Sequence, residues 1–279
     1  AYKLRNGVEL GDLQVRQITP PAIRNLIDAI AQGRDGTPGY PTKANHWLRY
    51  LHRALNWGIE FGECVSNPAH GVRKVQEKAD PRMPNEALFR KVQSFCFARG
   101  QRGAREKGSL PAYLWAGMEV AYQARLRGIE VLTLTDAHDL GDDLRTNRRK
   151  GSRDNEVAKG ILLAEAIDAM RQYRATIWDR RRFPTPLRPE DRYLFVSEDG
   201  TPLTREGWNT TWGRMMRMAV EEGVLTQEQR FGLHGLKHRG ITDTEGGRDA
   251  KKTASGHVTD AMIHLYDHQV ARVEPSKDR

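Results

Sequence analysis

The chain has 279 residues, 38% of them hydrophobic and 29% charged, with a formal net charge of +9. That length holds one large domain or two modest ones with a buried core, and the positive balance points to a polyanionic partner. Two cysteines far apart, Cys64 and Cys96, exclude a disulfide-stapled scaffold and a Cys-ligated metal module, and suit a reducing, cytoplasmic setting. No apolar run approaches the roughly 18 residues that a spanning helix needs. The opening AYKLRNGVELGD is no signal peptide and lacks a methionine, which leaves room for a further N-terminal domain.

Residues 20–32 place Ile23, Leu26, Ile27 and Ile30 on one helical face, with Thr19 as N-cap, Pro20 and Pro21 at the entrance and Gly33 at the exit. RDGTPGYP then reads as a turn. Residues 42–61 predict a second helix from Trp47, Leu48, Leu51, Leu55 and Ile59, stopped by Gly62. Periodicity is then lost among Pro, Gly and charge. The expected division is a helical domain over 1–75, a linker over 76–82 and a second domain over 83–279. That domain opens with an amphipathic helix carrying Leu88, Val92 and Phe95, followed by a polar loop. LPAYLWAGMEVAYQA reads as a mostly buried helix that delivers Arg125 and Arg127 at its end. Residues 142–158 predict a short strand pair, DDLRTN with NEVAK, joined by RRKGSR with its turn at Gly-Ser. Helices return at 161–178 and 204–222, with a loop and a short strand, YLFVS, between them. The fold class is therefore mainly α with a small antiparallel β-sheet (α+β), in two domains.

The chemistry gathers late in the chain. Arg127, Lys150, His234, Lys237, His257 and Tyr266 occur in the strings AYQARLRGIEVLTL, RRKGSR, GLHGLKHRGITDT and ASGHVTDAMIHLYDH. Together they are cations and proton donors suited to a phosphodiester, followed by a nucleophile. Tyr266 offers a phenol of pKa about 10, which attacks near neutrality only with help from a base or from cations. Arg127, Lys237 and His257 supply such a cationic environment, usually the largest catalytic contribution where charge develops on oxygen. Lys150 is placed to protonate a leaving 5′-oxygen, and His234 either to accept the tyrosine proton or to hold the phosphate. Arg149 is the nearest rival to Lys150. His234 and His238 at i, i+4 raise the thought of zinc, but the Glu of H-E-x-x-H is Gly235 here and no third ligand is evident. His264 and His268 repeat the spacing and read as surface positions.

This order of motifs resembles the tyrosine recombinases, and more particularly the phage integrases, over residues 83 to 266. RLRGIE matches the family's G-L-R-x-x-E, giving Arg127 and a supporting Glu130. RRKGSR carries the hairpin lysine, Lys150. HGLK matches H-x-x-R with Lys237 in place of the second arginine, and Gly256, His257 and Tyr266 match the final motifs. The resemblance implies a helical catalytic domain preceded by a smaller DNA-clamping one. It implies site-specific recombination, as in prophage integration, through a covalent 3′-phosphotyrosine with no metal and no nucleotide cofactor. The implied partners are double-stranded DNA at recombination sites, three further copies of the chain in a homotetramer and accessory DNA-bending proteins, in a bacterial cytoplasm and at its nucleoid. Lysine at 237 keeps the charge but loses the bidentate fork of arginine.

Residues 1–80 hold 11 Lys and Arg against 8 Asp and Glu. Lys43, Asn45, His46, Arg49 and Arg53 on the 42–61 helix are the candidates for contact in a DNA groove, with Arg148, Arg149 and Arg153 as backbone contacts around the hairpin. The tail after Tyr266 is a candidate for docking on a neighbouring subunit. Two other readings stay open here: a catalytically impaired DNA-binding relative, and a metal-dependent nuclease built on the histidines, which lacks the clustered carboxylates such a site uses.

Overall fold

The computed structural model describes residues 8–34, 36–77, 82–103 and 106–268. The predicted C-terminal tail from 269 onward, and residues 78–81 of the predicted linker, lie outside them. The chain divides into two compact units, Ala1–Ala79 and Asp80–Arg279.

In the first unit α1 (Pro20–Gln32) packs on α2 (Pro41–Glu60). The Thr19 hydroxyl accepts from the Ala22 N–H and starts α1 as an N-cap should. Ile23 and Ile27 bury against Ala44, Leu48 and Leu55. The segment expected as a simple turn holds a minimal hairpin, β1 (Gly33–Arg34) with β2 (Thr37–Pro38). Two of the apolar positions expected to face inward do not. Trp47 lies one residue, about 100°, from Leu48 and stands in solvent. Ile59 falls in the last turn of α2, which outruns the 13-residue α1 by about 10 Å.

The second unit is built around α4 (Tyr113–Gln123), which is buried nearly all round and packs against α3 (Glu86–Gly100), α6 (Ile161–Arg181) and α8 (Leu233–Thr242). α5 (Gly128–Leu132) and α7 (Arg205–Glu221) complete the core, and α9 (Arg248–Ser255) and α10 (Asp260–Tyr266) close the described chain. A helix as apolar as α4, whose buried Glu119 is paired with Arg90, belongs in the middle of a domain. At Gly240 of α8 a Cβ would run into the Tyr122 carbonyl, so glycine there lets α8 lie close to the end of α4.

The small sheet pairs β3 (Asp143–Arg145) with β4 (Glu156–Ala158) antiparallel, Leu144 opposite Val157. The tip turns at Lys150 and Gly151 rather than at Gly-Ser. Both have positive φ, +58° and +73°, as a two-residue I′ turn requires, and the Ser152 N–H donates to the Arg149 carbonyl across it. YLFVS forms no strand. Tyr193 and Val196 make single bridges to Thr135 and Pro202, and a proline, having no N–H, cannot extend a ladder. Leu194, Phe195 and Val196 are nonetheless core residues.

Candidate active site

The site grows from one buried carboxylate. Arg125, with φ +52°, turns the chain out of α4, and Arg127 becomes the N-cap of α5, which puts Glu130 in the first turn. Glu130 is wholly buried, and its oxygens accept from the Arg127 N–H (2.7 Å), the Arg127 guanidinium (2.8 Å) and the Arg149 N–H (2.9 Å). The Lys237 Nζ stands 3.9 Å from the same carboxylate. Burial works to raise the Glu130 pKa, but the Arg127 N–H, the Lys237 charge and the Arg149 N–H outweigh it, so the group is held below its ordinary value.

That carboxylate also docks the hairpin, because the Arg149 N–H donates to Glu130 while the Arg149 carbonyl accepts from Arg127 at 3.2 Å. Lys150, next in sequence, therefore sits at an anchored tip with its side chain exposed. The other leg is tied to the His257 motif by the Arg153 N–H, which donates to the Gly256 carbonyl. Gly256 has φ +69°, and a Cβ on it would strike the Arg153 carbonyl and the Arg148 side chain, so no other residue fits there.

Tyr266, at the end of α10, is buried under a roof of imidazoles. The His238 ring stacks on it at 4.3 Å between centroids, His257 lies at 4.6 Å and His234 meets it edge-on at 5.6 Å. Lys237 Nζ lies 5.5 Å from the ring centre, and against the pull of burial Glu130, then Tyr266, raise the Arg127 pKa. Five of the six sequence-predicted catalytic residues thus converge. Lys150 is the sixth; it touches none of them, but its charge reaches His234 and helps to lower that imidazole's pKa, after partial burial, Lys237 and Arg127.

Two nitrogens in this cluster, Lys237 Nζ and His257 Nε2, are buried without a hydrogen-bond partner among the described residues. Lys237 is 0% exposed, and burial, with Arg127 and Arg148 nearby, pushes its pKa down to about 7 against the pull of Glu130. His257 is pushed down to about 4 by burial and by Lys237, Arg127 and Arg148, and its Nδ1 lies 3.0 Å from the Ser255 hydroxyl. Both shifts run toward the uncharged form, which is how a cluster lined by cations limits the cost of burying several like charges at once.

Two sequence-predicted DNA contacts are instead structural. Arg148 is buried, its guanidinium donating to the carbonyls of Ala124, Arg125 and Ala254 and to Asn155, and burial pushes its pKa down to about 10. The C-terminal ends of α4 and α9 leave carbonyls without intrahelical partners, and Arg148, reaching across from the hairpin, supplies their donors. Asn45 is buried as well: its amide donates to the Val75 carbonyl and to Glu77, and its oxygen accepts from the Val75 N–H, pinning the chain after α2. Arg149, Arg153, Lys43, His46, Arg49 and Arg53 keep exposed side chains.

His238 and His268 were not among the predicted site residues. The His238 ring nitrogens lie 3.3 Å from His234 Nε2 and 2.9 Å from His268 Nε2, and burial, then His234, His268 and Lys237, push its pKa down to about 3. The i, i+4 spacing of His234 and His238 was the available signal. Among the described residues no group of three or more His, Cys, Asp or Glu is disposed to hold a metal ion. Arg239, one helical step beyond, turns away and pairs with Asp243.

Solved structures with the same fold include integrases on DNA. A lambda integrase dimer bound to a COC′ core site superposes with a TM-score of 0.72 at 16% identity, over 98% of this chain and 71% of that one. A Tn1549 transposon integrase in complex with circular intermediate DNA gives 0.67 at 15%, over 95% and 86%. A lambda integrase tetramer bound to a Holliday junction gives 0.69 at 16%, over 97% and 71%. No protein-family model and no curated protein matches the chain. At such low identity the likeness establishes the fold, mainly helical with a small antiparallel sheet, and it is the fold of the integrases that the motif order resembles.

Proposed function

We propose that the chain is a site-specific DNA recombinase of the phage-integrase type, which cleaves and rejoins strands through a 3′-phosphotyrosine at Tyr266. The observation that carries this reading is the convergence on Tyr266 of Arg127, His234, Lys237 and His257, drawn from three separate segments, with Lys237 Nζ and His257 Nε2 buried and without a hydrogen-bond partner among the described residues. A phosphodiester beside Tyr266 would accept from Lys237 Nζ and His257 Nε2 and offset the cost of leaving them bare. Arg127, held by Glu130, would supply the permanent charge.

In the reaction the tyrosine O–H gives its proton to neutral His234, the phenolic oxygen bonds to phosphorus, and the P–O5′ bond breaks. The departing 5′-oxygen takes a proton from Lys150 on its anchored turn. The charges come from the chain's own side chains, so neither a metal nor a nucleotide has a part in the step. Rejoining runs the same path backward with a partner strand's 5′-hydroxyl. Double-stranded DNA is the proposed substrate, and assembly as a homotetramer on two duplexes is proposed from the dimer and tetramer seen for lambda integrase. The exposed cations Lys43, His46, Arg49 and Arg53, together with Arg149 and Arg153, are the proposed backbone contacts, and residues 1–75 the proposed clamping domain. Among the described residues no helix is long and apolar enough to cross a membrane.

A second reading has one observation in its favour. Lys237 loses its charge near pH 7, where an arginine would keep it, and a site so discharged would bind DNA without cutting it. Nicked suicide duplexes cut from the DNA flanking the gene, incubated in EDTA with wild-type protein and Tyr266→Phe, separate the two. An SDS-resistant protein–DNA band in the wild type alone is expected. Tight binding with no band would leave the silent binder.

A further inference from the structure

The face of α2 turned away from its core is aromatic as well as basic. Trp47 is 44% exposed, Tyr50 63%, Trp57 56% and Phe61 61%. At about 100° per residue, Tyr50, Trp57 and Phe61 fall within about 40° of one another, and Arg49 and Arg53 run along one edge of that stripe. Trp57 and Phe61 rings lie 4.7 Å apart at 31°, and Trp47 meets Tyr50 edge-on at 5.8 Å. Between the two kinds of residue runs an open groove of about 770 Å³, lined by His46, Arg49, Tyr50, Arg53, Ala54 and Trp57. Among the described residues Arg49 and Arg53 form no ion pair, and Arg49 has only the Asn45 carbonyl as a hydrogen-bond acceptor.

Large rings left this exposed to water are costly unless something covers them. An apolar protein surface would cover the rings but would bury two arginines without compensation. A nucleic acid strand supplies both complements, flat base faces for the rings and phosphates for the guanidiniums. A fully paired duplex supplies less, because its base faces are covered by their neighbours and only their edges reach the grooves.

We propose that this face of α2 binds a DNA strand at unpaired bases, which stack on Tyr50 and Trp57 while Arg49 and Arg53 hold the strand's phosphates. The inference rests on the reading of the chain as a strand-cutting recombinase, since cleavage and exchange leave nucleotides transiently without partners. It adds a preference for DNA structure to a region otherwise assigned only to electrostatic contact.

The test uses the full chain and three fluorescent probes: a paired duplex, the same duplex with a central run of mismatches, and an oligothymidylate strand. Wild type should bind the mismatched duplex more tightly than the paired one. The pair Tyr50→Leu and Trp57→Leu should lower affinity for the mismatched and single-stranded probes by about 5- to 100-fold, with paired-duplex affinity held within about threefold. Trp57→Phe, which keeps a ring, should retain most of the preference. Arg49→Gln with Arg53→Gln should weaken all three and reduce the salt slope by about 2. Equal losses on paired and mismatched DNA would overturn the proposal in favour of duplex reading. So would unchanged DNA binding with weakened self-association in sedimentation, which would make the stripe a contact between copies. The Tyr266 adduct assay stands apart: an adduct without the mismatch preference defeats this inference alone, and the preference without an adduct defeats the recombinase reading.

Discussion

Helices α2 and α8 both interleave cations, histidines and apolar residues, yet they dispose of them in opposite ways. On α2 the buried line runs through Ala44, Leu48 and Leu55, and Lys43, His46, Arg49 and Arg53 are left in water. On α8 the buried line includes Lys237 and His238 themselves, while Arg239 is paired off with Asp243. A hydrated cation keeps its charge and attracts a polyanion from a distance, within a screening length of about 10 Å. A cation stripped of water has a depressed pKa and a large unmet demand for an anion, and so acts on whatever single group is set beside it. The difference teaches that burial, more than residue type, separates residues that would gather a polyanion from residues that would work on one phosphate.

The contrast breaks most sharply at Tyr266. Tyr266→Phe should abolish strand cleavage and leave DNA affinity nearly intact; the adduct assay and a binding titration measure the two halves. Retained cleavage would remove the nucleophile from this helix altogether.

Lys237 tests the α8 side next. Lys237→Met should lose cleavage by at least about 100-fold, as removal of a fixed donor to a developing anion typically does. It should also raise the thermal midpoint. Folding holds this amine near a pKa of 7 instead of the ordinary 10.5, so the unfolded chain binds the extra proton between those values. Stability therefore falls as pH drops from 10.5 toward 7, and the buried amine costs the fold most below pH 7. Relief of even about 1 kcal/mol would lift the midpoint by about 2–4 °C. Lys237→Arg should maintain or raise activity and flatten its decline at alkaline pH, since the guanidinium stays charged; a large loss would mean a pocket shaped for lysine.

The imidazoles around Tyr266 predict a smaller effect in acid. His257 and His238 have folded pKa values near 4 and 3, below the ordinary 6.5, so protons bind the unfolded chain more strongly over that interval. Stability should be complete above pH 6.5 and decline as pH falls toward 4, by an amount that His238→Gln reduces. Urea midpoints at pH 7.5 and 5 measure it.

The smallest effects belong to α2. Arg49→Gln or Arg53→Gln singly should leave the thermal midpoint unchanged and cleavage chemistry intact, and weaken DNA binding uniformly, with a salt slope shallower by about 1 for each. A single arginine whose loss changed sequence preference instead would move α2 from gathering DNA to reading it.

Periodicity was enough for α1 and α2, because an apolar stripe at helical spacing has one stable use, and near-continuous apolarity was enough for α4; the hairpin was legible from broken periodicity, although its turn falls at Lys150 and Gly151 and not at the Gly-Ser step expected from sequence. The order of Arg127, Lys150, His234, Lys237, His257 and Tyr266 was legible too, since each string marks its residue locally. What spacing could not decide was which side chains the tertiary packing would enclose. Asn45 and Arg148 looked like their exposed neighbours in sequence, but backbone groups of distant segments, Val75 in one unit and Ala124 and Ala254 in the other, needed hydrogen-bond partners and took them. His238 reads locally as an incidental i, i+4 histidine and becomes the ring stacked on Tyr266 only when α10 folds back onto α8. The sequence by itself determined the helices, the hairpin and the list of chemical groups. Only the tertiary structure decided that Glu130 is their hub and that Lys237 is wholly dry, because desolvation depends on atoms brought in from everywhere else in the chain.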